Sequence, residues 1–101
     1  MSEADDKVVL AECRARIDAV DEEVVALLAR RMEVVSGVIA LKQERGIPAL
    51  LPERVDEVLD HVRAVAEEKG CPPDLAEIVY RAVIAWTIEH EQNELGGVDE
   101  D

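Results

Sequence analysis

Hydrophobic residues recur every three or four positions through three long stretches of the chain. The first runs from about Lys7 to about Arg45, and its apolar positions are Leu10, Cys13, Ile17, Val20, Val24, Leu28, Val35, Val38 and Leu41. The second runs from about 52 to 70, and the third from about 73 to 96. This spacing is typical of amphipathic helices. Because no sustained alternation or hairpin turn indicates a strand, we predict an all-α subunit of three helices.

Proline and glycine residues mark the ends of the predicted helices. Gly46 follows the first stretch and fits a helix C-terminal cap. Pro52 suits the first turn of the second helix. Asp74 and Glu77 fit a capping box at the start of the third.

The length of the first helix bears on the oligomeric state. About 38 residues span roughly 57 Å, whereas a compact domain of 100 residues has a radius of gyration of only ~13 Å. Because the two shorter helices cannot cover so long an apolar face, we expect an intertwined homodimer. The alternative is a monomer in which Gly37 breaks the first helix.

The charge balance excludes several classes of partner. With 24 acidic and 11 basic residues the net charge is −13, which argues against nucleic acid and against an anionic membrane surface. Cys13 and Cys71 match no metal-ligand spacing, so we expect no metal and reduced thiols. With no signal peptide and no long apolar run, we expect a cytoplasmic protein. It would form one domain over residues 1–101, with acidic, flexible tails at 1–6 and 97–101.

Cations interrupt the apolar face of the first helix. Arg31 lies on it, and Lys42 follows eleven residues later, close to three full turns, so both point the same way. A buried arginine requires either a carboxylate within the fold or a bound anion. Arg14 lies ~25 Å from Arg31 along the helix and ~100° around it. It could therefore serve the same pocket only from a partner subunit.

Three further residues complete a candidate site. Arg54 opens the second helix, and Thr87 and Glu91 share one face of the third. The sequence shows no nucleophile–base pair, metal cluster or glycine-rich phosphate loop. The cations therefore suit a small dianion, and a chemistry of positioning and electrostatic stabilisation.

The stretches "CRARIDAVDEEVVALLARRMEVVSGVIALK", "PERV" and "IVYRAVIAWTIEHEQ" resemble the all-helical chorismate mutase family over residues 10–95. The specific part is the order and spacing of Arg14, Asp21, Arg31, Lys42 and Arg54, followed by the polar pair on the third helix. The resemblance implies an intertwined dimer with two active sites and no cofactor. It also implies a Claisen rearrangement of chorismate to prephenate, a step in the shikimate pathway of aromatic amino acid biosynthesis.

The resemblance also assigns roles to single residues. Arg14 of the partner subunit and Arg31 would hold the carboxylates of this dicarboxylate substrate. Lys42 would contact a carboxylate and the ether oxygen of the breaking C–O bond. Arg54 would anchor the ring side, and Glu91 would donate a second hydrogen bond to the ether oxygen. Catalysis would select the folded diaxial conformer and stabilise charge on that oxygen.

Three positions depart from the usual family pattern. Val55 stands where the common mutases carry a glutamate that binds the C4 hydroxyl, Thr87 replaces serine, and Glu91 replaces glutamine. The stretches "GIPALLPERV" and "AWTIEHEQ" also look like isochorismate–pyruvate lyases, which form salicylate. The loop and Glu91 look like 4-amino-4-deoxychorismate mutases of antibiotic pathways as well. A non-catalytic acidic helical dimer is the remaining alternative.

Glu91 raises a question of protonation. An ionised carboxylate cannot donate to an ether oxygen, so Glu91 must carry a proton to act. Burial favours the protonated form, and nearby cations favour the ionised form. We expect activity to rise as the pH falls below neutral, and Glu91→Gln to flatten the profile.

Overall fold

A computed structural model describes residues 2–96, which form three α-helices and no β-strand. Helix α1 spans Glu3–Arg45, α2 spans Pro52–Lys69 and α3 spans Pro73–Glu94. The predicted all-α, three-helix class is confirmed. Helix α1 begins four residues before the predicted start, and the predicted tail at 97–101 lies outside the described residues. None of the three helices has the length and apolar character needed to cross a membrane.

The chain divides into two compact units, and the first comprises residues 1–37. In the described part this unit is a single helical segment of α1, which continues through Gly37 without a break. The break expected for the monomeric alternative is therefore absent. Its large apolar side chains are mostly exposed, namely Val8, Val9, Leu10, Ile17, Val20, Val24, Val25, Leu27, Leu28 and Val34. A continuous exposed apolar surface of this kind is typical of an interaction site.

The second unit comprises residues 38–101 and contains the last turns of α1 with α2 and α3. Helices α2 and α3 pack against each other, and the buried apolar side chains are Ile39, Leu59, Ala66 and Ile84. All four are aliphatic, as expected of a chain with 2% aromatic residues. Two polar side chains, Thr87 and Glu91, are buried among them.

The ends of α1 and α2 follow the glycine signals. Gly46 has φ +66°, and the N–H of Ile47 donates to the carbonyl of Lys42 at 3.0 Å. This is the left-handed cap predicted for α1. Gly70, with φ +77°, ends α2 in the same way, and α2 begins at Pro52 as predicted.

The start of α3 differs from the prediction. Pro72 occupies the cap position, and no side chain caps the helix. The prediction of a capping box formed by Asp74 and Glu77 is therefore wrong. Asp74 already lies within the helix, where its carboxylate accepts the N–H of Leu75 at 3.0 Å. The two prolines begin the helix earlier than the polar pattern indicated, because a proline at the first position is already in helical geometry.

Glu77 instead takes part in an ion-pair cluster on the surface of the second unit. Its carboxylate accepts hydrogen bonds from Arg63 of α2 at 2.6 Å and from Nε of Arg81 of α3 at 2.9 Å. The hydrogen bonds from Arg81 and then Arg63 hold the pKa of Glu77 below its ordinary value. The cluster therefore links the two helices most strongly while Glu77 is ionised.

Candidate active site

The centre of the candidate site is an ion pair between Lys42 and Glu91. The Nζ of Lys42 donates to Oε1 of Glu91 at 2.7 Å, across 49 residues of sequence. The two side chains are only 11% and 9% exposed. A hydrogen bond between two ionised groups is short and strong, and little solvent screens it here.

The faces of the two helices explain why these side chains meet. Lys42 lies one turn after Ile39, the one buried residue in the described part of α1, and so points to the same side. On α3 the buried residues Ile84, Thr87 and Glu91 follow one another at helical spacing. The apolar members of each face anchor it in the core. Burial of the aliphatic residues therefore brings the polar ones together.

The connector between α1 and α2 also contacts Lys42. The carbonyl of Ala49 accepts a hydrogen bond from Nζ at 3.1 Å. An ammonium group has three donors, and the described contacts use two of them. Ala49 was not anticipated from the sequence, because a backbone carbonyl carries no residue-specific signal.

A second hydrogen bond ties the same two helix ends together. Gln43 Nε2 donates to the carbonyl of Glu94 at 2.9 Å. Gln43 follows Lys42 directly, and Glu94 lies three residues after Glu91. This contact therefore joins the last turn of α1 to the last turn of α3 beside the ion pair.

Thr87 lies one turn before Glu91 and is buried. Its Oγ1 donates to the carbonyl of Val83 at 2.7 Å. The hydroxyl is thus held against its own helix. Its position on the face that carries Glu91 agrees with the prediction that the two share one side of α3.

Arg54 and Val55 lie in the first turn of α2, and Arg14 and Arg31 lie on α1. The side chain of Arg54 is 68% exposed and pairs with Glu57 at 3.2 Å, so it takes no part in the Lys42–Glu91 contact. Val55, in the same turn of α2, is half-buried. Arg14 and Arg31 belong to the first unit, where Arg14 is exposed and Arg31 is half-buried.

The donor groups at the site define its chemistry. Within residues 2–96, no three His, Cys, Asp or Glu side chains are grouped as metal ligands would be. The Lys42–Glu91 pair offers an ammonium and a carboxyl group in a largely dry setting. Such a pair can bind a carboxylate, or it can stabilise charge that develops on an oxygen.

Comparisons with known proteins identify the family of this chain. The chorismate mutase type II family model matches residues 13–92. The chain therefore belongs to this family, as the resemblance in the sequence predicted.

Individual relatives differ in length and in name. The chain is 40% identical over 85 residues to a T-protein of Enterobacter agglomerans, covering 82% of this chain but only 23% of the T-protein. It is 35% identical over 92 residues to an isochorismate pyruvate lyase of Pseudomonas aeruginosa, covering 90% and 89% of the two chains. It is 29% identical over 75 residues to a chorismate mutase of Methanocaldococcus jannaschii, covering 74% and 76%.

Proposed function

We propose that this chain is a chorismate mutase that converts chorismate to prephenate. The observation that carries the proposal is the buried Lys42–Glu91 pair, on the two helix faces where the family resemblance places the groups for the ether oxygen. A lysine that is largely removed from solvent needs an anionic partner. Glu91 is that partner within the fold, and on this proposal a substrate carboxylate takes the same role.

In the proposed reaction Lys42 acts by electrostatics. Its ammonium contacts a substrate carboxylate and the ether oxygen, and it stabilises the negative charge that develops as the C–O bond breaks. Glu91 in its protonated form donates a second hydrogen bond to the same oxygen. The rearrangement is intramolecular, so the residues supply orientation and charge stabilisation without a covalent intermediate or a cofactor.

The remaining residues complete the site on this proposal. Arg31 and Arg14 of the partner subunit hold the two carboxylates. Arg54 leaves Glu57 and turns to the ring side when substrate binds, while Val55 and Thr87 line the pocket. The proposed homodimer is supported by the apolar surface of α1, which is exposed over most of the first unit in the single chain.

Loss of the ammonium tests the proposed chemistry. Lys42→Ala should lower kcat/KM for conversion of chorismate to prephenate by about 10²–10³, the usual effect of removing one donor to a developing oxyanion. Lys69→Ala is the matched control, because it removes an exposed lysine from the last turn of α2 and should leave the rate unchanged. Circular dichroism would establish that both variants are folded. Wild-type rates in folded Lys42→Ala would contradict the mechanism.

Subunit mixing tests the shared site. Arg14→Ala and Lys42→Ala homodimers should each be nearly inactive, because every site lacks one cation. When the two chains are co-expressed, half of the dimers are mixed, and each mixed dimer has one intact site. About a quarter of the wild-type activity should then return. No gain on mixing would contradict the entry of Arg14 into the partner's site.

A second candidate function is isochorismate–pyruvate lyase. It is favoured by the 35% identity to a protein of that name over 90% of this chain. The same ammonium could stabilise the departing ether oxygen as pyruvate is eliminated. Formation of salicylate and pyruvate from isochorismate, with no turnover of chorismate, would establish this alternative.

A further inference from the structure

Glu91 contacts the ammonium of Lys42, which is the group that the proposed function assigns to the ligand. Glu91 accepts one hydrogen bond from the ammonium at 2.7 Å, and the carbonyl of Ala49 accepts another at 3.1 Å. An anionic ligand must therefore compete with a carboxylate of the protein itself. Glu91 thus takes the contact that the proposed function gives to a substrate carboxylate.

Glu91 has few ways to remain ionised once Lys42 turns to a ligand. Its side chain is 9% exposed, so water solvates it poorly. It lies in the last turn of α3, where the carbonyl ends of the helix carry partial negative charge. A substrate dianion next to it adds further repulsion.

Within residues 38–96, other charged groups have described contacts of their own. Lys42, near the end of α1, is in ion-pair contact with Glu91. From α2, Arg54 is exposed and pairs with Glu57. On α3 itself, the ring of His90 stacks on Trp86, with centroids 5.0 Å apart.

We propose that the Lys42–Glu91 pair is a closed resting state, and that binding of a dicarboxylate opens it with uptake of one proton by Glu91. The inference rests on the proposed function and extends it to regulation by pH. The proton comes from solvent and stays on Glu91, which donates it in a hydrogen bond to the ether oxygen without transferring it. Binding thus produces the form of Glu91 that the proposed chemistry needs.

Calorimetric titration with prephenate tests the coupling. Slightly above neutral pH, in HEPES and in Tris, the difference in observed enthalpy reports the protons exchanged with buffer. Wild-type protein should take up about one proton per site, and Glu91→Gln close to none. Glu89→Gln removes an exposed carboxylate from the same helix and should behave as wild type. The Kd of wild type should rise about tenfold for each pH unit, whereas that of Glu91→Gln should stay flat.

Infrared spectroscopy provides a test that needs no variant. Binding of prephenate to wild-type protein should produce the C=O stretch of a protonated carboxyl group, and ¹³C-labelling of glutamate should shift this band. Prephenate binding without proton uptake, or equal uptake in Glu91→Gln, would overturn the inference.

Chorismate turnover on the same preparation separates the two proposals. Turnover of chorismate without proton uptake on prephenate binding would refute the inference and leave the proposed function standing. If the protein neither turns over chorismate nor binds prephenate, the proposed function is refuted, and the inference is refuted with it.

Discussion

Replacement of Lys42 by methionine removes the charge of the buried pair and keeps most of the side-chain volume. Glu91 then loses its 2.7 Å partner while it remains 9% exposed. Loss of one member of a buried pair costs about 3–5 kcal/mol, because it leaves a charge without compensation. We expect the lower end, about 3 kcal/mol, because both side chains of the pair keep some exposure to solvent, 11% and 9%. For a domain of this size that lowers Tm by about 12–24 °C.

Denaturant unfolding followed by circular dichroism measures this loss. Protein concentration must be the same in all samples, because dimerisation contributes to apparent stability. Arg54→Met is the matched control, since it breaks an ion pair whose side chains are 68% and 66% exposed. That change should cost about 0.5 kcal/mol or less. Lys42→Met combined with Glu91→Leu should recover most of the stability, because no unpaired charge stays buried.

Two results would refute this reasoning. If Lys42→Met lowers the free energy of unfolding no more than Arg54→Met does, burial does not increase the contribution of the Lys42–Glu91 pair to stability. If Glu91→Leu gives no recovery in the Lys42→Met background, the loss does not come from an unpaired carboxylate. The loss should also be smaller at acidic pH, where Glu91 is neutralised by a proton.

Three further predictions concern activity and stability. Glu91→Gln should flatten a pH–rate profile that rises below neutral in wild type, and an unchanged profile would contradict a role for protonated Glu91. Glu77, whose pKa is lowered by Arg81 and Arg63, should stabilise the fold above its ordinary pKa of 4.5, an effect lost as the pH falls through the lowered value. Wild type should then lose its Tm advantage over Glu77→Gln in acid, and parallel Tm curves would refute this. Gly70→Ala should lower the free energy of unfolding by about 1 kcal/mol in chemical denaturation, because φ of +77° strains a residue with a Cβ. An unchanged free energy of unfolding would show that the backbone at this cap relaxes.

Much of the fold could be predicted because its signals are local. Apolar spacing gave three helices, and Gly46 and Pro52 marked their ends through the backbone geometry that these residues favour. The capping box failed because Glu77 is held by Arg63, fourteen residues away, through a contact between helices. A local pattern carries no information about a tertiary partner.

For the candidate site, the sequence predicted individual residues but not the contacts between them. Lys42 stood out because it interrupts an apolar pattern, and Glu91 because it shares a helix face with Thr87. Their direct pairing depends on how α1 and α3 pack, and the part played by Ala49 depends on the path of the connector backbone. The exposure of Arg54 was not apparent either. A residue in the first turn of a helix can face either the core or solvent, and its position in the sequence does not decide which.

Product identification tests the proposed mutase activity most directly. Purified protein would be incubated separately with chorismate, isochorismate and 4-amino-4-deoxychorismate, and the products separated by liquid chromatography and identified by mass spectrometry against standards. The mutase assignment predicts prephenate from chorismate, an isomer of unchanged mass. Salicylate and pyruvate from isochorismate, or rearrangement of the amino compound with chorismate left intact, would contradict it.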